Sequence, residues 1–375
     1  MKNVQGCTIF IPLWTKIFQM YTINARKEVF MSELWPAGPY ESALSVRETE
    51  HAIVMIKDFF QLALSTELNL TRVTAPLFVQ SGTGLNDDLN GVEKPVSFTA
   101  PGMNNARMEI VHSLAKWKRI KLADLKLKEG FGIYTDMNAI RASEDLDAVH
   151  SLYVDQWDWE TVIGENDRTI FFLRDTVKKI YRCLKRTEFY IYDHFPVIAP
   201  VLPEKLTFVF SEDLQKRYPD LTPKERENAV CREYGAVFIA GIGAPLADGK
   251  PHDGRAPDYD DWITETGDGH CGLNGDLLVW NPVLQNALEL SSMGIRVSPE
   301  TLNLQLEQRG CTERKKLYFH KRLLAGELPL CAGGGIGQSR LCMYFLRKAH
   351  IGEVQVSSWP DDMIKKCKKR GIPLL

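Results

Sequence analysis

The chain has 375 residues, of which 44% are hydrophobic and 25% are charged, a composition typical of a globular protein with a sizeable core. Its 46 Lys and Arg residues nearly balance 48 Asp and Glu residues, giving a formal net charge of −2. This balance disfavours a protein whose main partner is a nucleic acid, because such proteins carry a basic surplus. The sequence contains no apolar run of about 18 residues, which excludes a membrane-spanning helix.

The eight cysteines are scattered and contain no CxxC pair. In a chain of this length, that spacing predicts reduced, mostly buried thiols, and it provides no zinc site. We therefore exclude a secreted disulfide-rich protein and a zinc metalloprotease.

The amino-terminal segment, residues 1–44, differs from the rest. Residues 7–21 are apolar and aromatic, and the first acidic residue is Glu28. Three interpretations stay open: an organellar presequence, a surface extension that docks on the domain, or an overlong reading frame whose true start is Met31. We expect a cytoplasmic protein unless the presequence is real, and a single α+β domain over residues 45–375.

A long helix is predicted to begin at Ser45, because Glu48 and Glu50 lie in its first turn. Apolar residues then recur at near-helical spacing as far as Leu64. A β-like run follows over residues 70–79 and is interrupted by a proline, which cannot donate to a ladder. We therefore predict an edge or interface strand there.

The next predicted helix carries a stripe of four apolar residues, Leu173, Val177, Ile180 and Leu184. A capping box at Thr222–Glu225, with proline at the first helical position, predicts a helix that ends at Gly235. Ser298-Pro299 predicts another, ending near Gly310. Strands are predicted between the helices, at residues 131–134, 152–159, 236–240, 276–280 and 291–297.

Residues 333–337 hold four glycines in five positions and lead into an apolar helical stretch. Glycines let the backbone approach a ligand closely, and a helix N-terminus offers N–H groups to an anion. Arg340, one turn later, is placed to bind a phosphate. The alternative is a tight strand-to-helix turn that needs glycine only for packing. The sequence has no Walker A motif, and Gly241–Gly243 lacks the dinucleotide fingerprint.

In the strand predicted at residues 152–160, alternate residues share a face. Gln156 and Asp158 fall on one face, and Tyr153, Asp155 and the two tryptophans fall on the other. This pattern fits a polar pocket floor lying over an aromatic layer. The alternative is an exposed polar face.

Two further groups of charges have an ordinary and a functional interpretation. Asp276 and Glu289 are either hard oxygen ligands for a Mg²⁺ that bridges phosphates, or surface and capping groups. Ser292 and Arg296 are predicted to share one strand face. The basic segment at residues 112–119 is either a solvated face or the positive wall of a pocket for a dicarboxylate or a triphosphate.

Taken in chain order, these segments resemble the three motifs of class II aminoacyl-tRNA synthetases. The resemblance lies in Pro76 within the first strand, in Arg141 with residues 153–160, in residues 289–296, and in the glycine run that ends in Arg340. Within that superfamily, three further strings are similar to ammonia-dependent aspartate–ammonia ligases, the A-type asparagine synthetases: residues 112–119, 255–262 and 272–276. The resemblance covers roughly residues 45–375.

The resemblance implies a homodimer built on an antiparallel sheet flanked by helices. Members use ATP and Mg²⁺ to convert aspartate into β-aspartyl-AMP and pyrophosphate, and ammonia then displaces AMP. It implies catalytic roles for Asp87, Arg141, Gln156 and Arg340. It implies substrate binding by Ser113, Lys118, Asp158, Asp260, Ser292, Arg296 and Gln338. It implies nucleotide binding by Arg141, Gly333, Gly334, Gly335, Gly337 and Arg340, and metal binding by Asp276 and Glu289.

Two sequence features separate this interpretation from its rivals. Lys2 follows the initiator, where an amino-terminal-nucleophile glutaminase needs cysteine, so free ammonia is the expected nitrogen source. An aspartyl-type synthetase would carry an anticodon-binding barrel ahead of its first motif, so we expect neither tRNA nor a membrane as a partner. A regulatory paralogue without catalysis, or a ligase that adenylates another acid, stays as an alternative.

Overall fold

The computed structural model of the protein describes residues 35–36, 38–87 and 93–375. The predictions made for residues 1–34 lie outside this range. Within it, eight strands form one sheet, with the spatial order 70–72, 132–140, 153–162, 331–337, 286–295, 274–281, 236–240 and 207–210, and three form a small sheet in the order 78–80, 106–110 and 97–100.

The strands span β1 70–72, β2 78–80, β3 97–100, β4 106–110, β5 132–140, β6 153–162, β7 207–210, β8 236–240, β9 274–281, β10 286–295 and β11 331–337. The helices span α1 46–67, α2 115–124, α3 170–194, α4 211–217, α5 223–234, α6 299–308, α7 318–324, α8 338–345 and α9 361–369.

The large sheet is antiparallel through its centre, from β5 across to β8. Both edge pairs, β1 with β5 and β7 with β8, are parallel. The expected antiparallel sheet is therefore mixed, with the parallel pairs confined to its edges.

The predicted helix starts are confirmed. Ser45 and Glu48 form a capping box at α1, and Thr222 and Glu225 form another at α5. Gly235 ends α5 with a φ of 75°, a left-handed conformation that glycine adopts without strain. The β-like run at residues 70–79 is instead two strands, because Pro76 lies between β1 and β2. Each of the two is an edge strand of its own sheet, as proline requires.

The main core lies on one face of the large sheet, under α1 and α3. The predicted stripe on α3 is buried. Trp157 and Trp159 of β6 are fully buried, and Phe60 of α1 packs on Trp157 with ring centroids 4.8 Å apart. Because successive strand residues point to opposite faces, Gln156 and Asp158 lie on the other side of the sheet.

The described part of the amino-terminal segment docks on the carboxyl-terminal region. The Tyr40 hydroxyl donates to the Glu353 carboxylate at 2.8 Å. The buried Lys348 ammonium donates to Ser42 Oγ at 2.6 Å and to Thr49 Oγ1 at 2.8 Å. These contacts involve only residues 40 and 42 of the segment, so the three interpretations of residues 1–44 stay open.

The glycine run is a strand rather than a loop, since β11 includes residues 333–337 and α8 begins only at Gln338. A Cβ on Gly333 would collide with the Glu160 carboxylate, and one on Gly335 would collide with the Gln156 amide. A Cβ on Gly334 would lie 2.5 Å from Met293 Cβ. Packing therefore explains three of the glycines.

The described thiols agree with the expectation of reduced cysteines. Every described cysteine is free, and most are buried. None of the helices in the described ranges is both long enough and apolar enough to cross a membrane.

We predict that Gly334→Ala lowers the free energy of unfolding by about 1–3 kcal/mol, because the new methyl group meets Met293 and the backbone of Ser292 inside the sheet. Denaturant unfolding measures the change. Gly102→Ala is the matched control, since its Cβ would meet no atom within 4 Å. Equal stabilities for the two variants would contradict the packing explanation.

Candidate functional site

A cavity of about 360 Å³ lies on the sheet face opposite the tryptophans. It is bordered by β6, β10 and β11 and by loops at their ends. Most of the predicted site residues line it: Asp87, Ser113, Arg141, Gln156, Asp158, Asp260, Glu289, Ser292, Arg296, Gly334, Gly335, Gly337 and Arg340. Tyr153 and Asp155, at the start of β6, also border it. Asp155 nevertheless pairs with Lys57 of α1, on the face of the tryptophans, as the alternation predicts.

The floor of the cavity is a buried network around Arg296. Its guanidinium donates to both oxygens of Glu160, each at 2.8 Å, and to Asp260. Burial disfavours the charged form of Glu160, but Arg296 and Lys118 outweigh it and hold the pKa of Glu160 below its ordinary value. Asp260 differs, because burial raises its pKa despite Arg296 and Arg255.

Lys118 holds the adjacent carboxylate in place. Its ammonium lies 2.6 Å from Asp158 Oδ1 and also donates to the backbone carbonyls of Trp159 and Gly334. The other oxygen of Asp158, Oδ2, is buried and has no hydrogen-bond partner among the described residues. Asp158 therefore offers one free acceptor to a ligand.

Arg255 joins two strands above this floor. Its Nη2 donates to Ser292 Oγ at 2.9 Å and to the Asp276 carboxylate. Burial, reinforced by the negative charges of Glu289 and Asp253, nevertheless raises the pKa of Asp276 to about 8. An added cation at this position would relieve that repulsion.

Arg141 is a cation of the cavity for which the described part of the chain provides no ion-pair partner. Its guanidinium makes no ion pair or hydrogen bond within the described residues, and its Nε is buried. Arg340 contacts Glu289 through Nη1 alone, which donates to the Glu289 carbonyl at 3.2 Å and lies 3.5 Å from its carboxylate, so its other guanidinium nitrogens have no partner in the described chain. The two arginines are therefore available to an anionic ligand.

Asp87 is held at the cavity wall by its backbone. The Asn86 amide oxygen accepts hydrogen bonds from the N–H groups of Asp87 and His112, at 3.0 and 2.8 Å. The carbonyl of Asp87 lies 3.0 Å from His112 Nδ1. Asp87 itself is 3% exposed, so its carboxylate is mostly withdrawn from water.

Four predicted site residues do not line the cavity. Lys118 and Asp276 lie behind it, engaged with Asp158 and Arg255, and Gly333 lies beneath Glu160. Gln338 is the fourth residue, and its predicted role in binding the substrate is not supported. Its amide donates to Asp136 Oδ1 at 3.0 Å, away from the cavity, so this placement does not support direct substrate binding.

The interpretation of residues 112–119 as a solvated basic face is wrong. Lys116, Lys118 and Arg119 are all buried. Lys116 lies 3.2 Å from Asp258, and Arg119 donates to the carbonyl of Val297 at 2.7 Å. These cations connect α2 to the rest of the domain: Lys116 and Lys118 pair with buried carboxylates, and Arg119 donates to backbone carbonyls. Because all three are buried, they do not form an open positive wall either.

Sequence reasoning missed Glu160 and Arg255 as members of the site. Glu160 had a signal, because period-two alternation places it on the face of Gln156 and Asp158. Arg255 had a weaker one, as a basic residue at the head of the acidic stretch 258–261.

We predict that Glu160→Gln destabilises the protein by about 3 kcal/mol at pH 7, because it removes one partner of a buried ion pair. The folded-state pKa of Glu160 is depressed, so its contribution is present above the ordinary value of 4.5 and is lost as the pH falls through the folded-state pKa. The difference from the wild type should therefore shrink in acid.

Denaturant unfolding at pH 7 and at acid pH measures this effect. Glu50→Gln, at an exposed position of α1, is the control and should change little at either pH. A difference that stays undiminished in acid would contradict the assigned ion pair.

Comparisons with solved structures identify the fold. A solved structure of asparaginyl-tRNA synthetase from Pyrococcus horikoshii, complexed with asparaginyl-adenylate, matches with a TM-score of 0.63 at 13% identity, over 84% of this chain and 70% of that chain. The aspartyl-tRNA synthetase of Entamoeba histolytica matches with a TM-score of 0.58 at 15% identity, over 84% and 59%. The fold is therefore that of class II aminoacyl-tRNA synthetases.

Sequence similarity is much closer to another group. A protein of Parabacteroides distasonis named aspartate–ammonia ligase is 59% identical over 340 residues, which is 91% of this chain and 98% of that protein. The Bacteroides thetaiotaomicron protein of the same name is 58% identical over 345 residues, 92% of this chain and all of its own length. A family profile described as aspartate-ammonia ligase matches residues 47–371. The chain belongs to the aspartate–ammonia ligase family.

Proposed function

We propose that this ligase makes asparagine from aspartate, ammonia and ATP through β-aspartyl-AMP, and that it releases AMP and pyrophosphate. The observation that carries the proposal is the pattern of unpaired groups in one cavity. Arg141 is a cation without a partner in the described residues, and Asp158 Oδ2 is an acceptor without one. A phosphate and an amine, respectively, satisfy such groups.

Aspartate occupies the end of the cavity near Asp158. Its α-ammonium group is the donor that Asp158 Oδ2 lacks, and the Gln156 amide lies beside it on the same strand face. Ser113, Asp260, Ser292 and Arg296 border this end. Because Lys118 and Arg296 are held by buried carboxylates, they keep the pocket rigid and do not move toward the substrate.

In the first step, an oxygen of the aspartate β-carboxylate attacks the α-phosphorus of ATP. The new P–O bond forms as the bond to pyrophosphate breaks, so negative charge moves onto the phosphate oxygens. Arg141 binds the α-phosphate and Arg340 binds the outer phosphates, where fixed positive charge stabilises the developing charge. The glycine backbone of β11 at residues 334, 335 and 337 borders the same cavity.

We infer that Glu289, at the cavity wall, and Asp276, directly behind it on the neighbouring strand, would hold a Mg²⁺ ion through carboxylate oxygens. The negative charge of Glu289 helps to raise the pKa of Asp276, and a bound cation would relieve that repulsion. Mg²⁺ commonly takes one or two carboxylates together with substrate phosphates. When bound, the ion neutralises phosphate charge.

In the second step, ammonia attacks the β-carbonyl carbon, and the bond from that carbon to the AMP oxygen breaks. Ammonium predominates at neutral pH, so it must lose a proton before attack. We assign to Asp87 the attraction of ammonium and the acceptance of that proton. A second proton leaves as the amide forms.

The remaining expectations also stand as proposals. We propose a cytoplasmic homodimer without tRNA or membrane partners. These features rest on the family resemblance and on the near-neutral charge of the sequence.

The reaction is tested by incubating the protein with ATP, Mg²⁺ and aspartate, and with either ammonium or glutamine. We predict one AMP and one pyrophosphate for each asparagine formed, with ammonium strongly preferred. Chromatography of the amino acids and nucleotides measures asparagine and AMP, and an enzyme-coupled phosphate assay measures pyrophosphate. ADP in place of AMP would indicate an acyl phosphate and contradict the adenylate.

We predict that Asp87→Asn lowers ammonium-dependent asparagine synthesis by about 100-fold, because the amide neither attracts ammonium nor accepts its proton. Aspartate-dependent exchange of pyrophosphate into ATP should change by less than about threefold, since it reports only the first step. Asp124→Asn, at an exposed position of α2, is the control. Full synthesis by Asp87→Asn would contradict the assigned role.

A further inference from the structure

One part of the cavity contains none of the residues proposed to bind aspartate or the phosphates. It is bordered by Val149 and Ser151 on one side and by Ile351 and Gln355 on the other. The Ile351 N–H donates to the carbonyl of Ala148 at 2.8 Å, which joins the two segments. Apolar side chains with a few polar atoms are the usual lining for a flat heterocycle.

Gln355 is the polar side chain of this end that lacks a full set of partners. It is 5% exposed. Its Nε2 donates to Ser339 Oγ at 3.0 Å, and the Ser339 backbone N–H donates to Asp155 at 3.0 Å. Its Oε1 is buried and accepts no hydrogen bond within the described residues. A buried acceptor without a donor is costly, so this atom is expected to receive one from a ligand.

We propose that Gln355 is a specificity residue that selects adenine, by accepting a hydrogen bond from the 6-amino group of the base. This inference rests on the proposed use of ATP. Adenine presents a donor at position 6, whereas hypoxanthine and guanine present an acceptor there. An acceptor facing Oε1 leaves both atoms unpaired, so Gln355 rejects 6-oxopurine nucleotides.

The position of the base follows from the other assignments. Arg141 and Arg340 fix the phosphates, and Asp158 fixes the aspartate. Ser339 directly precedes Arg340 at the start of α8, so the residue that orients Gln355 lies beside the phosphate-binding arginine. The end bordered by Val149 and Ile351 is where the remaining part of the nucleotide fits.

The test compares kcat/KM for ATP and for ITP, which differ at position 6 and in the N1 proton. We expect Gln355→Met to lower the preference for ATP over ITP by about tenfold to 100-fold, with the value for ITP nearly unchanged. Val356→Met, in which the same side chain is introduced at a neighbouring position that is 70% exposed, should keep the wild-type ratio. An equal loss for both nucleotides would show a merely structural role and overturn the proposal.

A binding experiment on the wild type needs no variant. Calorimetry should give a Kd for purine riboside 5′-monophosphate, which has hydrogen in place of the amino group, about tenfold weaker than that for AMP. Equal affinities would overturn the proposal. Tighter binding of IMP than of AMP would do so as well, because it would mean that the amide presents Nε2 to the base.

These readings separate the two proposals. A wild type that binds AMP selectively but forms no asparagine contradicts the proposed function and leaves the role of Gln355 intact. A wild type that forms asparagine and AMP, yet shows no selectivity that depends on Gln355, contradicts only the inference about the base.

Discussion

The site depends on the burial of the Arg296 guanidinium. A buried cation is tolerable only when acceptors surround it, and here Glu160 from β6 and Asp260 from the loop before β9 supply them. Lys118 adds a second cation on the same group of carboxylates. Because removing any member leaves an uncompensated charge, the network fixes a strand, a helix and a loop relative to one another. The cavity floor is thus arranged before a ligand arrives, which is the condition for electrostatic catalysis.

The glycines of β11 are the steric counterpart of this network. Glu160 and Gln156 stand on β6 and extend across the neighbouring strand, where a Cβ at Gly333 or Gly335 would collide with them. The glycines therefore make room for the carboxylate and the amide directly, which agrees with the packing alternative for this run. Its link to phosphate is indirect, because the flat backbone leaves open the cavity in which the nucleotide is proposed to bind.

Local signals predicted most helices and the central strands other than β11, because capping boxes, proline positions and apolar spacing act over a few residues. The glycine run of β11 has neither the side chains nor the alternation that mark a strand. Local signals did not predict which charged residues are buried in ion pairs. Lys116 and Asp258 are 142 positions apart, and Lys118 and Asp158 are 40 apart, so nothing local distinguishes these buried pairs from a solvated face. The parallel pairing at the two sheet edges was not predictable either, because it depends on how the chain crosses over between strands. For the site itself, most residues were predicted from the family resemblance. Strand alternation alone predicted that Gln156 and Asp158 share one face of β6.

The structure divides the polar groups of the cavity into two kinds, and this division explains how it can accept a charged ligand. Arg296, Lys118 and Arg255 already have partners, so a ligand that displaced those partners would lose as much as it gained. Arg141, the second oxygen of Asp158 and Gln355 Oε1 have none in the described chain. A ligand with one anionic group, one amine and one amino-substituted base satisfies all three at once without breaking the network. Aspartyl adenylate carries those groups in a single molecule, so the same unpaired atoms that identify the cavity also limit what it can hold.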